Sequence, residues 1–287
     1  MKINFPKLEP ALYLISTPIG TLSDFTFRAI NVLQNVNVLL AEDTRVLRKL
    51  MNLMDIDLNG RNISSYNDNS GDEVRSKYIL ELEQNKSIAL CCDSGTPLIS
   101  DPGYKLVRQV IRDGYKVICI PGACSVIVAL CQSGLPSDKF FFGGFPPAKK
   151  NQRINFFNDL LSVPSTLIFF ESPKRILNTL EDLGNIFGNS QQIVVCRELT
   201  KNFEENKRGT IDSIIKILRK ENNFRGEFTV VVNRKENIKP DLNLIKSDLI
   251  YLLKKNTFRD SVAIVSKKYS LSKKEVYNIG LKILNNW

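Results

Sequence analysis

The sequence predicts an α/β protein built from two α/β domains, with a small helical segment at its C-terminal end. Short apolar runs typical of buried parallel strands, such as 12–16, 38–41 and 87–92, alternate with amphipathic helical patterns such as 25–36 and 104–112. A chain of 287 residues also exceeds the usual size of one compact domain. Near the C-terminal end the strand-like runs stop and only helical patterns remain.

The α/β alternation breaks at Pro121-Gly122 and then resumes. Further strand candidates follow the break, at 140–143, 166–170, 192–196 and 228–232. We place the boundaries at this break and at the loss of strand patterns. The predicted parts are a first α/β domain over 1–121, a second over 122–236 and a helical module over 240–287.

The composition narrows the chemistry that the chain can perform. The chain contains no histidine, which excludes His-based triads and H-E-x-x-H zinc sites and leaves carboxylates, Lys, Tyr or water to move protons. The cysteines form no C-x-x-C pair, so we expect buried free thiols and no zinc site. The net charge of +10 suits an anionic partner such as RNA, although excess lysine can also reflect genome composition.

Neither a membrane span nor a secretory leader is expected. The apolar runs are far shorter than the roughly 18 residues needed to cross a bilayer. The N-terminal segment contains Lys2, Lys7 and Glu9 and lacks the apolar core of a signal peptide. We therefore expect a cytoplasmic protein with no membrane partner.

Four loops that follow predicted strands or the domain break are unusual. They are 17–24 (TPIGTLSD), 42–45 (EDTR), 93–103 (DSGTPLISDPG) and 121–125 (PGACS). Ligands of open α/β sheets bind beyond the carboxyl ends of the strands, where such loops lie. One loop alone also fits an ordinary turn, but the 93–103 loop is longer than a turn requires. No G-x-G pair and no P-loop motif occurs, which disfavours hydride transfer and ATP hydrolysis.

Two strand candidates of the second half end in charged segments. These are Glu171-Ser172-Pro173-Lys174-Arg175 and Arg197-Glu198-Leu199-Thr200-Lys201. Both combine a carboxylate with cations. Such segments can serve a charged ligand or form structural ion pairs, and the sequence leaves both interpretations open.

Together these motifs resemble the tetrapyrrole methylases and, within them, the family of ribosomal RNA small subunit methyltransferase I. The motifs occur in order between about residues 11 and 233: P-x-G-x-L-x-D, E-D-T-R, D-S-G-T-P-L-I-S-D-P-G, E-S-P-K-R, R-E-L-T-K and R-G-E-F. The resemblance implies two α/β domains of tetrapyrrole-methylase type with a cofactor cleft between them, and a homodimer. It also implies methyl transfer from S-adenosyl-L-methionine to the ribose 2'-hydroxyl of a cytidine in the decoding centre of 16S RNA, free or in the 30S subunit.

The resemblance assigns the cofactor to three groups of residues, and no cluster of metal ligands accompanies them. The assigned residues are Gly95, Thr96, Pro97 and Ile99, then Ala123, Cys124 and Ser125, and in the second domain Phe170. One position departs from the family pattern. The family usually has Asn after the glycine of the first loop, where this chain has Thr21, so no side-chain amide contact is expected there.

A neutral ribose hydroxyl is a poor nucleophile, so some group must accept or orient its proton. In the absence of histidine, the candidates are carboxylates near strand ends: Glu171, Glu198, Asp24, Glu42 and Asp43. Neighbouring cations are predicted to contact the RNA, with Lys174 and Arg197 at the reaction centre and Arg45, Arg175 and Lys201 on flanking phosphates.

The sequence also fits two other functions. Relatives of the same fold methylate small molecules such as corrinoid precursors, and a noncatalytic RNA-binding or assembly factor could retain the fold. The charged loops and the basic C-terminal segment favour RNA as the substrate. The complete set of cleft loops favours an enzyme over a pure binder.

The segment 240–287 carries nine Lys and Arg against four Asp and Glu. Its apolar pattern predicts helices over 242–253, 260–269 and 273–284, with Ser272 as an N-cap. The last two helices resemble a helix-turn-helix. The segment could dock RNA, or it could cap the core or a dimer partner.

Overall fold

The structure, a computed structural model, describes residues 5–234, 242–269 and 271–284. The chain divides into two compact units, Met1–Arg234 and Lys235–Trp287. The larger unit contains two five-stranded sheets with helices packed on them, and the smaller unit is helical. The predicted fold class is confirmed. None of the helices in the described ranges is long and apolar enough to cross a membrane.

The first sheet is parallel throughout, in the order β3-β2-β4-β1-β5. Its strands are β1 (Leu12–Ile15), β2 (Val38–Ala41), β3 (Ile63–Ser65), β4 (Ile88–Cys91) and β5 (Val117–Ile120). The helices between them are α1 (Phe27–Asn35), α2 (Thr44–Leu53), α3 (Asp72–Glu83) and α4 (Tyr104–Arg112). Leu33 and Met51 cover one face, whereas Leu82 and Val110 cover the other. Because both faces are covered, β1 and β4 are buried along their whole length.

The second sheet is mixed, in the order β6-β7-β10-β8-β9. Its strands are β6 (Phe140–Phe142), β7 (Thr166–Glu171), β8 (Gln192–Arg197), β9 (Glu205–Thr210) and β10 (Phe228–Val232). Its helices are α5 (Ser125–Ser133), α6 (Lys150–Leu160), α7 (Ile176–Phe187) and α8 (Ile211–Glu221). Helix α5 packs on one face, and α6, α7 and α8 pack on the other. Since β10 runs antiparallel to both β7 and β8, these two strands end at the same edge, where Glu171 and Arg197 flank Phe228.

Two strands escape prediction from the sequence, and both lie at sheet edges. β3 is three residues long, and β9 has the polar sequence ENKRGT. An edge strand needs no apolar alternation, and polar side chains protect it from pairing with another chain. Helix α1 begins at Phe27, two residues later than the pattern suggests, because the Thr26 side chain accepts a hydrogen bond from the Ala29 amide and caps the helix.

A buried ion pair joins α6 to α7 in the core beside the second sheet. The Arg153 guanidinium donates to Asp182 at 2.9 and 2.5 Å, and both side chains are almost fully buried. Asp182→Ala should lower the free energy of unfolding by about 3–5 kcal/mol, because it leaves a buried guanidinium without its counter-charge. Glu181→Ala is the matched control on the same helix: its pair with Arg219 is exposed and should contribute about 1 kcal/mol or less. Urea unfolding measures the loss of unfolding free energy in each variant. Equal losses in the two variants would contradict the expectation.

The smaller unit contains helices α9 (Leu242–Leu253), α10 (Phe258–Tyr269) and α11 (Lys273–Leu284), which match the predicted helices closely. Their shared core includes Leu249, Val265 and Val276. The predicted N-cap is confirmed, because the Glu275 amide donates to the Ser272 hydroxyl at 3.2 Å. The Ser272 amide donates in return to the Glu275 carboxylate at 3.0 Å, which completes a capping box.

Candidate active site

A cavity of about 330 Å³ lies between the loops of the first sheet and the edge of the second sheet where β7 and β8 end. Its first-sheet wall comes from the loops after β1 and β4 and from the start of α5. Its second-sheet wall comes from the ends of β7 and β8 and the start of β10. The lining residues are Ile19, Ser94, Gly95, Thr96, Ile99, Ser100, Asp101, Cys124, Ser125, Phe145, Phe170, Glu171, Ser172, Pro173, Leu199, Gly226, Glu227, Phe228 and Thr229.

Hydrogen bonds hold the first-sheet wall in place. Thr17 and Gly95 exchange backbone bonds of 2.8 and 3.2 Å, which tie the loop after β1 to the loop after β4. The Thr96 hydroxyl donates to the Ala123 carbonyl at 2.9 Å and lies 3.0 Å from the Ser16 hydroxyl. Gly95 adopts φ +81°, a conformation that favours glycine. These contacts fix the three loops against one another.

Most of the residues predicted to hold a cofactor line this cavity. They are Gly95, Thr96, Ile99, Cys124, Ser125 and Phe170. Pro97 is buried and Ala123 contributes its carbonyl to Thr96, but neither residue lines the cavity. The structure thus brings together parts of three segments that are distant in sequence.

The second-sheet wall is aromatic. Phe170 makes edge-to-face contacts with Phe142 and Phe145, with ring centroids 4.8 and 5.5 Å apart. Phe228 and Leu199 extend the apolar surface. Such a wall can pack against a planar heterocycle, while Ser125 and Thr229 offer hydroxyl groups.

Glu171 lines the cavity but is fully engaged by neighbours. Its Oε1 accepts from the Ser172 amide at 2.7 Å, and its Oε2 accepts from the Thr179 hydroxyl at 2.5 Å and from Arg175 at 3.1 Å. Arg175 also donates to the Pro146 carbonyl. The Glu171 side chain is completely buried. These contacts anchor the β7–α7 turn, and Lys174 in that turn is exposed.

Glu198 and Lys201 are also paired with each other. The Glu198 carboxylate accepts from the Glu227 amide at 2.9 Å and from Lys201 at 3.0 Å. Burial raises the pKa of Glu198, but these hydrogen bonds outweigh it and the pKa lies below its usual value. Glu198 and Thr200 both have positive φ, so the loop is sharply bent. Arg197 donates to the Arg225 carbonyl at 2.9 Å and lies 3.6 Å from Glu205.

The remaining predicted charges lie outside the cavity lining. Asp24 is exposed in a short 3-10 turn. Asp43 caps α2 and pairs with Arg45 at 2.5 Å, and the Arg45 hydrogen bonds lower the pKa of Asp43 to about 2. Burial, together with the charges of nearby aspartates including Asp101, raises the pKa of Glu42.

Asp101 is a cavity-lining carboxylate that was not among the predicted catalytic residues. Burial raises its pKa; a hydrogen bond from Cys92 opposes this effect, and the charges of Asp93 and Glu227 add to it. No lysine or arginine forms an ion pair with Asp101 within residues 5–234. The sequence feature that could have identified Asp101 is its position before Pro102-Gly103, at the end of the longest of the four loops. A carboxylate with a raised pKa is better suited to accept a proton than one held by cations.

Thr21 links the two sheets rather than facing the cavity. Its hydroxyl donates to the Thr200 carbonyl at 2.5 Å, and its amide donates to the Thr200 hydroxyl at 3.3 Å. A Cβ on the preceding Gly20 would lie 2.6 Å from that hydroxyl oxygen. Threonine at this position therefore holds the first loop against the 198–201 loop.

Comparisons with known proteins agree with this architecture. The family model of Tetrapyrrole (Corrin/Porphyrin) Methylases matches residues 11–215. Ribosomal RNA small subunit methyltransferase I of Mesorhizobium japonicum is 42% identical over 229 residues, covering 80% of this chain and 77% of the relative. Its namesake in Halalkalibacterium halodurans is 38% identical over 275 residues, covering 93% of each chain.

Solved structures share the fold at low identity. A cobalt precorrin-4 methyltransferase superposes with a TM-score of 0.57 and 16% identity over 78% of this chain and 95% of its own. A diphthine synthase gives a TM-score of 0.58 and 13% identity over 78% and 90%. The family match over residues 11–215, together with this fold, places the chain in the class of tetrapyrrole methylases. Within that class, the chain belongs to the ribosomal RNA small subunit methyltransferase I family.

Proposed function

We propose that this protein transfers the methyl group of S-adenosylmethionine to the ribose 2'-hydroxyl of a cytidine in the decoding centre of 16S ribosomal RNA, in the cytoplasm and as a homodimer. The observation that carries the proposal is the cavity itself, because five of the six segments carrying the family motifs, all except 42–45, contribute residues to its lining. The names of relatives at 38–42% identity support ribosomal RNA of the small subunit as the substrate.

The cavity fits the cofactor in size and chemistry. Its volume of about 330 Å³ lies at the lower end of small-molecule sites, which run from about 300 to 1,000 Å³. Phe145, Phe170 and Leu199 provide apolar surface for an adenine ring. Thr96, Ser125 and Thr229 provide hydroxyl groups for the polar parts of the molecule. Among the described residues, no group of three Cys, Asp or Glu side chains is arranged to hold a metal ion.

When bound, S-adenosylmethionine supplies a methyl group on a positively charged sulfur, which is already electrophilic. The residues of this chain then have to align the ribose hydroxyl, exclude water and manage one proton. Asp101 is the carboxylate we favour for orienting or accepting that proton, since it lines the cavity and carries no ion pair within residues 5–234. Glu171 in the β7–α7 turn and Glu198 in the 198–201 loop are the alternative candidates for accepting this proton.

The predicted RNA-contacting cations divide into two groups. Lys174 and Arg45 are exposed near the carboxyl edges of the sheets, and Arg45 remains 88% exposed although it pairs with Asp43, so both can reach flanking phosphates. Arg175, Arg197 and Lys201 are held by Glu171, Glu205 and Glu198, respectively. We propose that the second group mainly shapes the loops that border the cleft.

Methyl transfer from labelled cofactor to three acceptors tests the proposal. The acceptors are 30S subunits that lack the modification, free 16S RNA and a porphyrinoid. Labelling of the RNA supports the proposed function. Labelling of the porphyrinoid alone would indicate a small-molecule methyltransferase, and RNA binding without labelling would indicate a noncatalytic factor.

The smaller unit is proposed to dock RNA. Phe258, Arg259, Lys273, Lys274 and Tyr277 border a common surface cavity, which combines aromatic and basic side chains. Deleting residues 240–287 should weaken RNA binding and flatten the slope of log affinity against log salt by roughly 0.7 to 0.9 per lost phosphate contact. Affinity for the cofactor should not change.

The alternative role for this unit predicts a different result. An unchanged salt slope in a truncated protein that still folds and dimerises would contradict RNA docking. Loss of folding or of dimerisation on deletion would instead support a cap on the core or on a partner. Circular dichroism and sedimentation distinguish these outcomes.

A further inference from the structure

A second cavity of about 290 Å³ lies beside the cavity of the candidate active site, the reaction cavity of about 330 Å³. It is lined by Arg197, Glu198, Phe203, Asn223, Arg225 and Gly226. Gly226 also lines the reaction cavity, so the two spaces are neighbours. A Cβ on Gly226 would lie 2.5 Å from the Glu198 carboxylate. The two cavities are therefore separated only by the residues around the contact between Glu198 and Gly226.

Phe203 is the most exposed large apolar side chain among the described residues, with 76% of its surface accessible. The loop that carries it is held in place by several hydrogen bonds. The Thr200 amide donates to the Glu204 carboxylate at 2.8 Å, and the Lys201 amide donates to the Glu198 carbonyl at 2.9 Å. Thr21 fixes the same loop from the first sheet. An exposed ring on a well-fixed loop presents a pre-positioned flat apolar surface.

The polar groups of the cavity complement a base and its phosphate. The Asn223 amide oxygen can accept from Arg197 at 3.1 and 3.3 Å, which leaves its NH₂ group as a donor. The Arg225 side chain is exposed. The Glu198 carboxylate already accepts from the Glu227 amide and Lys201, so it does not oppose an incoming phosphate as a free anion would. The lining contains two arginines and one glutamate, which leaves it cationic.

We propose that this second cavity binds the base of the nucleotide next to the one whose ribose is methylated, stacked on Phe203, with its phosphate facing Arg225. The inference rests on the proposed function, since it requires the ribose of the methylated nucleotide to face the cofactor in the first cavity while the next nucleotide of the same RNA strand occupies the second. Single-stranded RNA is commonly recognised by splayed bases that stack on aromatic side chains, with arginine on the backbone.

The first test compares Phe203→Ala and Phe203→Trp on 30S subunits that lack the methyl group. Loss of one stacked base should raise Kd and KM for the subunit roughly 5- to 150-fold in Phe203→Ala. The tryptophan variant should retain near-normal values, and cofactor affinity should be unchanged in both. Phe27→Ala is the matched control, because Phe27 is 71% exposed and lines neither cavity. This control should bind RNA normally.

The second test uses fluorescence and needs no methyl transfer. The chain has a single tryptophan, Trp287, so Phe203→Trp in a Trp287→Phe background reports on position 203 alone. Stacking on a base should quench this fluorescence when protein-free 16S RNA, which contributes no tryptophan, is added, and Arg225→Gln should weaken the binding that produces the quench.

The outcomes separate the subsite from the proposed function. If the wild-type protein methylates 30S subunits while Phe203→Ala behaves normally and the tryptophan is not quenched, the subsite is wrong and the function stands. A change of oligomeric state in Phe203→Ala with normal RNA affinity would assign Phe203 to an interface between copies and also overturn the subsite. A wild-type protein that neither binds nor methylates RNA would overturn both proposals.

Discussion

Replacing Ser125 by tryptophan is expected to reduce the affinity for S-adenosylmethionine at least roughly 100-fold, because the indole would occupy the volume that the cofactor needs. Ser125 is the first residue of α5 and lines the cavity. The helix cannot move aside easily, since Val126 and Leu130 pack against the second sheet. Titration calorimetry with the cofactor measures the effect directly.

A matched control uses the same substitution two residues further along the same helix. Ile127 is 44% exposed and does not line the cavity, so Ile127→Trp should bind the cofactor normally. Thr96→Arg provides an independent test from the loop after β4, and it should also abolish binding. Unchanged affinity in both cavity variants, with folding confirmed by circular dichroism, would show that the cofactor binds elsewhere.

Asp101→Asn is expected to slow single-turnover methyl transfer by roughly 10²- to 10⁴-fold with the cofactor still bound, which is the usual cost of losing a general base. The base must be ionised, so the rate of the wild-type protein should fall as the pH falls through the pKa of Asp101. Because that pKa is raised, the fall should occur at higher pH than for an ordinary aspartate, whose pKa is about 3.9. The variant should lack this pH dependence.

Asp93→Asn is the matched control in the same loop. Asp93 does not line the cavity, and its charge contributes to the raised pKa of Asp101. The Asp93→Asn control should therefore keep most of the methyl-transfer rate, and the decrease of its rate at acidic pH should move to lower pH. Glu171→Gln and Glu198→Gln complete the series. If either of these, and not Asp101→Asn, lost the rate with cofactor bound, that glutamate would be the proton acceptor.

Buried strands and cleft loops could be predicted because local sequence determines them. The apolar runs of β1 and β4 are covered on both faces and therefore carry no polar alternation. The long loop after β4 is rich in glycine and proline, and it does line the cavity through Gly95, Thr96 and Ile99. The capping box at Ser272 is likewise a local pattern.

Features that depend on distant contacts could not be predicted. The direction of β10 between β7 and β8 is set by chain connections and packing, and it brings Glu171 and Arg197 to one edge. The sequence shows charges in the 171–175 and 197–201 segments, but not that Glu171 is completely buried or that Lys201 also pairs with Glu227. The raised pKa of Asp101 depends on burial and on Glu227, which is far away in sequence.

Locating the transferred methyl group tests the central claim most directly. Subunits lacking the modification are incubated with the protein and labelled cofactor, and their 16S RNA is then treated with alkali and analysed by mass spectrometry. A 2'-O-methyl group blocks alkaline cleavage, because that cleavage requires the free 2'-hydroxyl as the nucleophile. We predict one alkali-resistant linkage, at a cytidine of the decoding centre, with the label on its ribose. A label on a base, or RNA that remains unlabelled, would contradict the proposed reaction.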